Sequence, residues 1–199
     1  QTGLECSMET ILGLCIGIGL SAACGFRIFA PLLVMSIACN LNWFEPIQGF
    51  GWLALPSVCL TLGIATLCEI IAYYIPWVDN ILDIIATPAA VIAGTVSTMA
   101  VSSGEMSQFI AWATALIVGG GTAGAVQFGT VALRGLSTTT TGGVGNPVIS
   151  TGEWVSAILI SILSFLAPVM LVIVLIIAAI WFVRWFKQIK KNKADPGIA

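Results

Sequence analysis

Asp79, Asp83 and Thr87 stand four residues apart within the segment that runs from Glu69 through Tyr73, Tyr74 and Pro76 to Pro88. If a helix begins near Asp79, that spacing puts two carboxylates and a hydroxyl on one face. Such oxygen ligands suit hard cations such as Na⁺, Mg²⁺ or Ca²⁺, with Asp79 and Asp83 as the metal ligands, or they trade a proton. A competing structural reading makes Asp79 an N-cap and Asp83 a first-turn acid favoured by the helix dipole. It accounts for Asp79 well, for Asp83 in part and for Glu69, near the end of an apolar run, not at all. Arg27 and Arg134 are the candidate counter-charges. Arg27 lies in Gly25-Phe-Arg27-Ile-Phe-Ala-Pro31, where a glycine and a proline open a helix and free carbonyls for a ligand or for the guanidinium. The plainer role is an arginine that snorkels or pairs to fix helix packing. Arg134 precedes a hydroxyl-rich connection in which Thr139, Thr140, Thr141, Asn146 and Glu153 are candidates to line a pathway as a re-entrant loop. An ordinary solvated loop has the same composition.

These groups take their significance from the solvent around them. Of 199 residues, 58% are hydrophobic and 8% charged, against roughly 25% charged in a soluble domain. Most of the chain is therefore solvated by lipid, where each ionisable side chain costs a few kcal/mol and normally faces a partner or a watery cavity. The same composition excludes other classes. A net charge of −2 with no basic stripe in the body offers nothing to a nucleic acid. With no histidine there is no histidine base, nor a histidine ligand for haem, zinc or chlorophyll. The six cysteines contain no Cys-x-x-Cys and fall mostly in apolar runs, as small hydrophobes.

Apolar runs of about 20 residues mark membrane crossings. They predict an all-α, polytopic helical bundle of about five spans, within a range of four to seven: 11–38, 52–74, 81–101, 109–133 and 154–186. The last is too long for one crossing, and Pro168 is placed to kink or divide it. Residues 1–7 form an N-terminal extension or remnant, 8–187 a single transmembrane domain and 188–199 a basic tail. The first run has no basic segment before it and reads as a retained span. Arg184, Lys187, Lys190, Lys191 and Lys193 predict a cytoplasmic or stromal C-terminus. Five crossings would then put the Pro76–Asn80 turn and the Leu136–Gly152 loop on the opposite side. Trp43, Trp52, Trp154 and Trp181 fall at span ends, the depth that amphipathic rings favour. Gly17-x-Gly19 to Phe26 aligns with Gly119-x-Gly121 to Phe128, each followed by an arginine, which suggests an inverted repeat. Glycine-rich packing faces look alike for simpler reasons. In this topology Arg27 lies roughly 24 Å along the first helix, away from Glu69 and the other polar groups. An Arg27–Glu69 pair then needs a broken or tilted helix, and Arg134 is the more economical partner for the carboxylates.

Three motifs carry a resemblance that covers the chain from Met8 to about Lys187: Gly25-Phe-Arg27-Ile-Phe-Ala-Pro31, Glu69 followed by Pro76-x-x-Asp79-Asn80-x-x-Asp83, and Thr140-Thr141-Gly142-Gly143-Val-Gly-Asn146-Pro147 with Glu153 beyond. In these the sequence resembles a family of small bacterial, cyanobacterial and plastid-type membrane proteins known only as a domain of unknown function. The resemblance implies a polytopic membrane protein and no particular activity. The leading functional expectation is a non-enzymatic transporter or channel-like protein for a small solute, cation or proton, with Glu69, Asp79, Asp83 and Thr87 as the ion site. The alternative is an accessory subunit of a photosynthetic or respiratory membrane complex. An intramembrane enzyme using the acidic cluster with Mg²⁺ lacks a recognisable nucleophile or phosphate loop. Expected ligands are a bound cation or a lipid, with pigment only for a complex subunit. Expected partners are membrane lipids and either further copies of the chain or a membrane complex, in the plasma (inner) or thylakoid membrane.

Overall fold

The computed structural model of the chain describes the backbone of residues 3–74, 76–102, 106–142 and 144–194, with side chains except at 3–7, 76–81, 83 and 185–194. Its seven long helices are α1 (Gly3–Phe26), α2 (Phe29–Asn40), α3 (Pro56–Tyr73), α4 (Pro76–Ala100), α5 (Gln108–Thr141), α6 (Asn146–Leu166) and α7 (Pro168–Ala194). Prolines set three of these boundaries. Pro31 has no N–H to give to Arg27, four residues back, and its ring would clash with that carbonyl in a continuous helix. The helix therefore stops at Phe26 and restarts at Phe29. Ala167, before Pro168, leaves the helical region at φ −148° and ψ 61°, as a residue preceding proline prefers to do, and divides α6 from α7. Pro56 opens α3, where a missing N–H costs nothing. Within α5, residues Ala115–Gly120 wind as a π-helical turn.

Neighbouring helices alternate in direction. Gly17 of α1 meets Thr98 of α4 while Ser21 donates to the Gly94 carbonyl at 2.8 Å, so α1 and α4 are antiparallel. Gly119 meets Thr98 and Gly124 meets Val91, so α5 is antiparallel to α4. Leu20 and Met35 share one core cluster, which folds α2 back along α1. Gly19 faces Ser164 while Arg27 reaches Glu153, so α6 descends beside α1. α7 rises again, with Leu171 beside Gly19 and Phe182 beside Gly129.

The interior is polar and finely packed, and the exterior is greasy. Ser21, Ser36, Ser97, Ser161 and Ser164 are fully buried, while Leu60, Ile64, Leu67, Ile84, Phe109 and Ile117 are more than half exposed. A water-soluble protein distributes these residues the other way round. Small residues allow close backbone approach: a Cβ on Gly94 would lie 2.6 Å from the Ala123 Cβ, and Gly119 packs against both Thr98 and Gly94. Four stretches, 8–26, α3, α5 and α6, are long and apolar enough to cross a membrane; α2, Ile84–Ala100 and Pro168–Arg184 are apolar but shorter.

Four expectations need correction. The first apolar run, read as one span, is two helices, while the last divides before Pro168 as its sequence allowed; the seven helices among the described residues stay within the expected range of four to seven. The Leu136–Gly152 connection is mostly helix: Thr139, Thr140 and Thr141 close α5 with hydroxyls that donate to the carbonyls of Leu136 and Ser137, and α6 begins at Asn146. These threonines therefore form no re-entrant loop. The extra reversal at Ala167 brings the α3–α4 and α5–α6 connections to the same end as the C-terminal half of α7, instead of the opposite end. Finally, α1 and α5 run in the same direction, so the two glycine segments are not inverted copies.

Adding a methyl at Gly119 forces overpacking against Thr98, worth about 1–3 kcal/mol, whereas Gly121 has open space where its Cβ would sit. Gly119→Ala is expected to lower the Tm in detergent, with Gly121→Ala unchanged or slightly raised. Cysteines placed at Val144 and Trp43, both exposed, are expected to react with an impermeant maleimide from opposite sides of the membrane.

Candidate functional site

At the end of α1, where Pro31 prevents the helix from continuing, Arg27 is 1% exposed. Its Nη2 donates to Glu153 Oε2 at 2.8 Å and to the Ser150 carbonyl at 3.4 Å, both on α6. Arg134 of α5 donates from Nε to Glu153 Oε1 at 3.2 Å and from Nη2 to Oε2. One carboxylate thus accepts from two guanidinium groups on different helices. The Tyr73 ring of α3 lies beside both, 3.6 Å from Arg27 Cζ and 4.7 Å from Arg134 Cζ, distances at which a cation is attracted to an aromatic face. Trp154, next to Glu153, is 5.7 Å from Arg27 Cζ. Arg134 stands seven residues before the end of α5 at Thr141 and Glu153 seven after the start of α6 at Asn146, which puts the network about 10 Å inside the ends of their helices.

Glu69 completes the site from α3. Breaking the helix at Arg27 leaves the first amides of α2 without intrahelical acceptors. Glu69 Oε1 accepts from Ile28 N–H at 3.0 Å and Oε2 from Phe29 N–H at 3.3 Å. The carboxylate also sits at the positive end of the α2 dipole. Tyr73 is one helical turn beyond Glu69, so the same face of α3 that caps α2 carries the ring beneath Arg27. At the periphery, the Tyr74 and Thr151 hydroxyls are 3.1 Å apart, and Asn146 Nδ2 donates to Thr138 Oγ1 at 3.3 Å, bracing the α5–α6 turn.

Four of the candidates from sequence meet here: Arg27, Arg134, Glu153 and Glu69. Arg27 does not lie in a distant half of the bundle, because the first helix ends beside it. The break that an Arg27–Glu69 contact required is present, yet Glu69 binds the amides that the break frees and leaves the guanidinium to Glu153. Thr87 lies on an exposed face of α4. The side chains of Asp79 and Asp83 lie outside the described residues, and with them the metal assignment; among the described residues no group of three or more Cys, Asp or Glu converges to hold a metal. Tyr73, Ser150 and Trp154 were not foreseen. Their signal is spacing: Tyr73 is four after Glu69, and Ser150, Glu153 and Trp154 share one face of α6. Trp154 is 7% exposed and belongs to this interior, unlike the outward-facing Trp43, Trp52 and Trp181.

Apolar crossings around a buried ionic centre define an integral membrane protein, an all-helical polytopic bundle. The chain belongs to the family described as Domain of unknown function (DUF4126), which matches residues 14–188 and so takes in every residue of the network. Neither the curated proteins nor the solved structures contain a match.

Removing one partner of a buried ion pair strands the other charge, at about 3–5 kcal/mol. Glu153→Gln is therefore expected to lower thermal stability strongly. Glu69→Gln keeps one carbonyl acceptor for the α2 amides and is expected to cost about 1–3 kcal/mol. Thermal unfolding in a single detergent ranks the two, and equal stability of Glu153→Gln and wild type would contradict the bridging role.

Proposed function

We propose that this chain is a small-solute membrane transporter whose working centre is Arg27, Glu153 and Arg134, with Glu69 and Tyr73 holding it. The observation that carries this reading is a buried charge network located where a membrane helix is interrupted. Interrupted helices with ionisable groups at the break are how transporters build binding sites away from water, since free backbone groups and charges at that depth need a ligand or a partner. The centre brings Glu69, from the acidic site expected from sequence, together with the two candidate counter-charges, Arg27 and Arg134, which Glu153 bridges.

The arrangement supports a two-state cycle. Glu153 is shared, so a solute or proton that engages it competes with the guanidinium groups and loosens the tie between α1, α5 and α6. The break at Arg27–Ile28 and the one at Ala167 give α2 and α7 points about which to move. By the positive-inside rule the basic residues from Arg184 onward put their end in the cytoplasm. The network lies nearer that end, so its first opening is cytoplasmic. This reading involves no catalytic step. It leaves the choice of plasma (inner) or thylakoid membrane, and the assembly into homo-oligomers or a larger complex, to native purification.

Reconstituted protein on a solid-supported membrane, challenged with a panel of small inorganic and organic ions, is expected to give saturable currents. Arg134→Lys, which keeps a positive charge beside Glu153 but loses the paired Nε and Nη2 donation, is expected to abolish them while retaining a folded, monodisperse protein. Absence of any saturable current in wild type, together with stoichiometric partner subunits in a mild-detergent preparation, would replace this proposal with the accessory-subunit reading.

A further inference from the structure

The hydrogen-bonding capacity around Arg27 is unevenly used. Nη2 is engaged twice, by Glu153 and by the Ser150 carbonyl. Among the described residues, Nε and Nη1 of the same guanidinium have no hydrogen-bond partner, and neither do the Ser150 hydroxyl and the Trp154 Nε1. All three residues are deeply buried, at 1%, 1% and 7% exposure. Ser150 and Trp154 are four apart on α6 and both adjoin Arg27, so these groups come from one place in the bundle. Guanidinium and indole nitrogens only donate, and the serine hydroxyl rotates to donate. A buried polar group left unpaired is costly, and such groups in native proteins generally signal a partner. Glu153 does not serve as that partner: its two oxygens already receive one bond from Arg27 and two from Arg134.

We infer that Arg27, Ser150 and Trp154 form a binding site for a small anion, a halide or a compact oxyanion or carboxylate. The donor set decides the sign of the guest. A cation requires oxygen acceptors, whereas the unpaired atoms here are N–H and O–H groups on Arg27 and on two residues beside its guanidinium. Tyr73 covers a face of that guanidinium, which limits approach to its edges and favours a small, in-plane acceptor. Because Arg27 is closed off from the surface, entry of the anion accompanies movement of α3 or of the α5–α6 hairpin. The inference deepens the transport reading by naming the class of cargo or co-ion, and it rests on that reading only for release across the membrane; binding stands by itself.

The test is equilibrium binding to the purified full chain in detergent. Thermal stability is titrated with the sodium salts of chloride, nitrate, formate and acetate at constant ionic strength, with gluconate as the bulky balancing anion. The expected result is a saturable rise in Tm with at least one small anion. Ser150→Ala combined with Trp154→Phe, which leaves the Glu153 ion pairs intact, should weaken the apparent Kd at least tenfold, and Trp181→Phe on the outer surface should leave it unchanged. If no small anion acts differently from gluconate, if the double variant binds with wild-type affinity, or if exchanging sodium for choline removes the effect, the inference is overturned. Saturable binding without flux in liposomes would sink the transport proposal and leave the anion site standing. Saturable flux of another solute, with no small anion distinguishable from gluconate in the binding titration, would do the reverse.

Discussion

The carboxylate of Glu153, accepting from Arg27 and Arg134 together, is the interaction on which the rest of this bundle depends. In lipid neither guanidinium has water to fall back on, so each must be matched inside the protein. One acid on α6 matches both and in doing so fixes α1 and α5 against it. Tyr73 extends the tie to α3 by lying beside the same two cations. Buried ion pairs repay their desolvation poorly on average. What this one supplies is registry: it fixes which residues of the four helices stand at the same depth.

The helix break is the second half of the same device. Pro31 prevents the first helix from running on, so Arg27 stands at an end, with its side chain free to turn into the bundle. The amides exposed by that break would be unsatisfied in a low-dielectric interior, and Glu69 takes two of them. Proline, arginine and glutamate thus form one sequence of cause and consequence. The proline makes the break, the break frees the amides, and capping them places α3 so that Tyr73 lies beside the guanidinium.

Around this centre the helices approach closely because their contacts are glycine, alanine and serine. Ser21 and Thr98 spend their hydroxyls on the carbonyls of Gly94 and Gly17, which adds interhelical hydrogen bonds where hydrophobic attraction between helices is weak. The π-helical turn at Ala115–Gly120 lies at this tight α4–α5 contact, and its two glycines, Gly119 and Gly120, both meet α4. A bundle packed this tightly has discrete alternatives instead of a continuum, which suits a protein that opens about helix breaks.

The sequence by itself determined the solvent of this protein, its helical class and the short roll of charges that matter. Composition and apolar run length are local quantities, and the cost of an ionisable group in lipid holds whatever the fold. Arg27, Glu69, Arg134 and Glu153 were legible for that reason, as was the weakness of the helix around Pro31. Their pairing was not legible. It depends on the number of chain reversals, and runs of 28 and 33 apolar residues hide a reversal that only packing reveals. The reversal hidden in the first run moved Arg27 to the same end as Glu153 and turned the presumed inverted repeat into parallel helices. The threonine stretch was misjudged for a related reason. Hydroxyls read as loop formers by composition, but at the end of a long helix they bond back to their own carbonyls, and only the hairpin that buries Ser150 and Glu153 made that choice. Tertiary structure thus decided which charges meet, because a salt bridge is a relation between segments and no single segment encodes it.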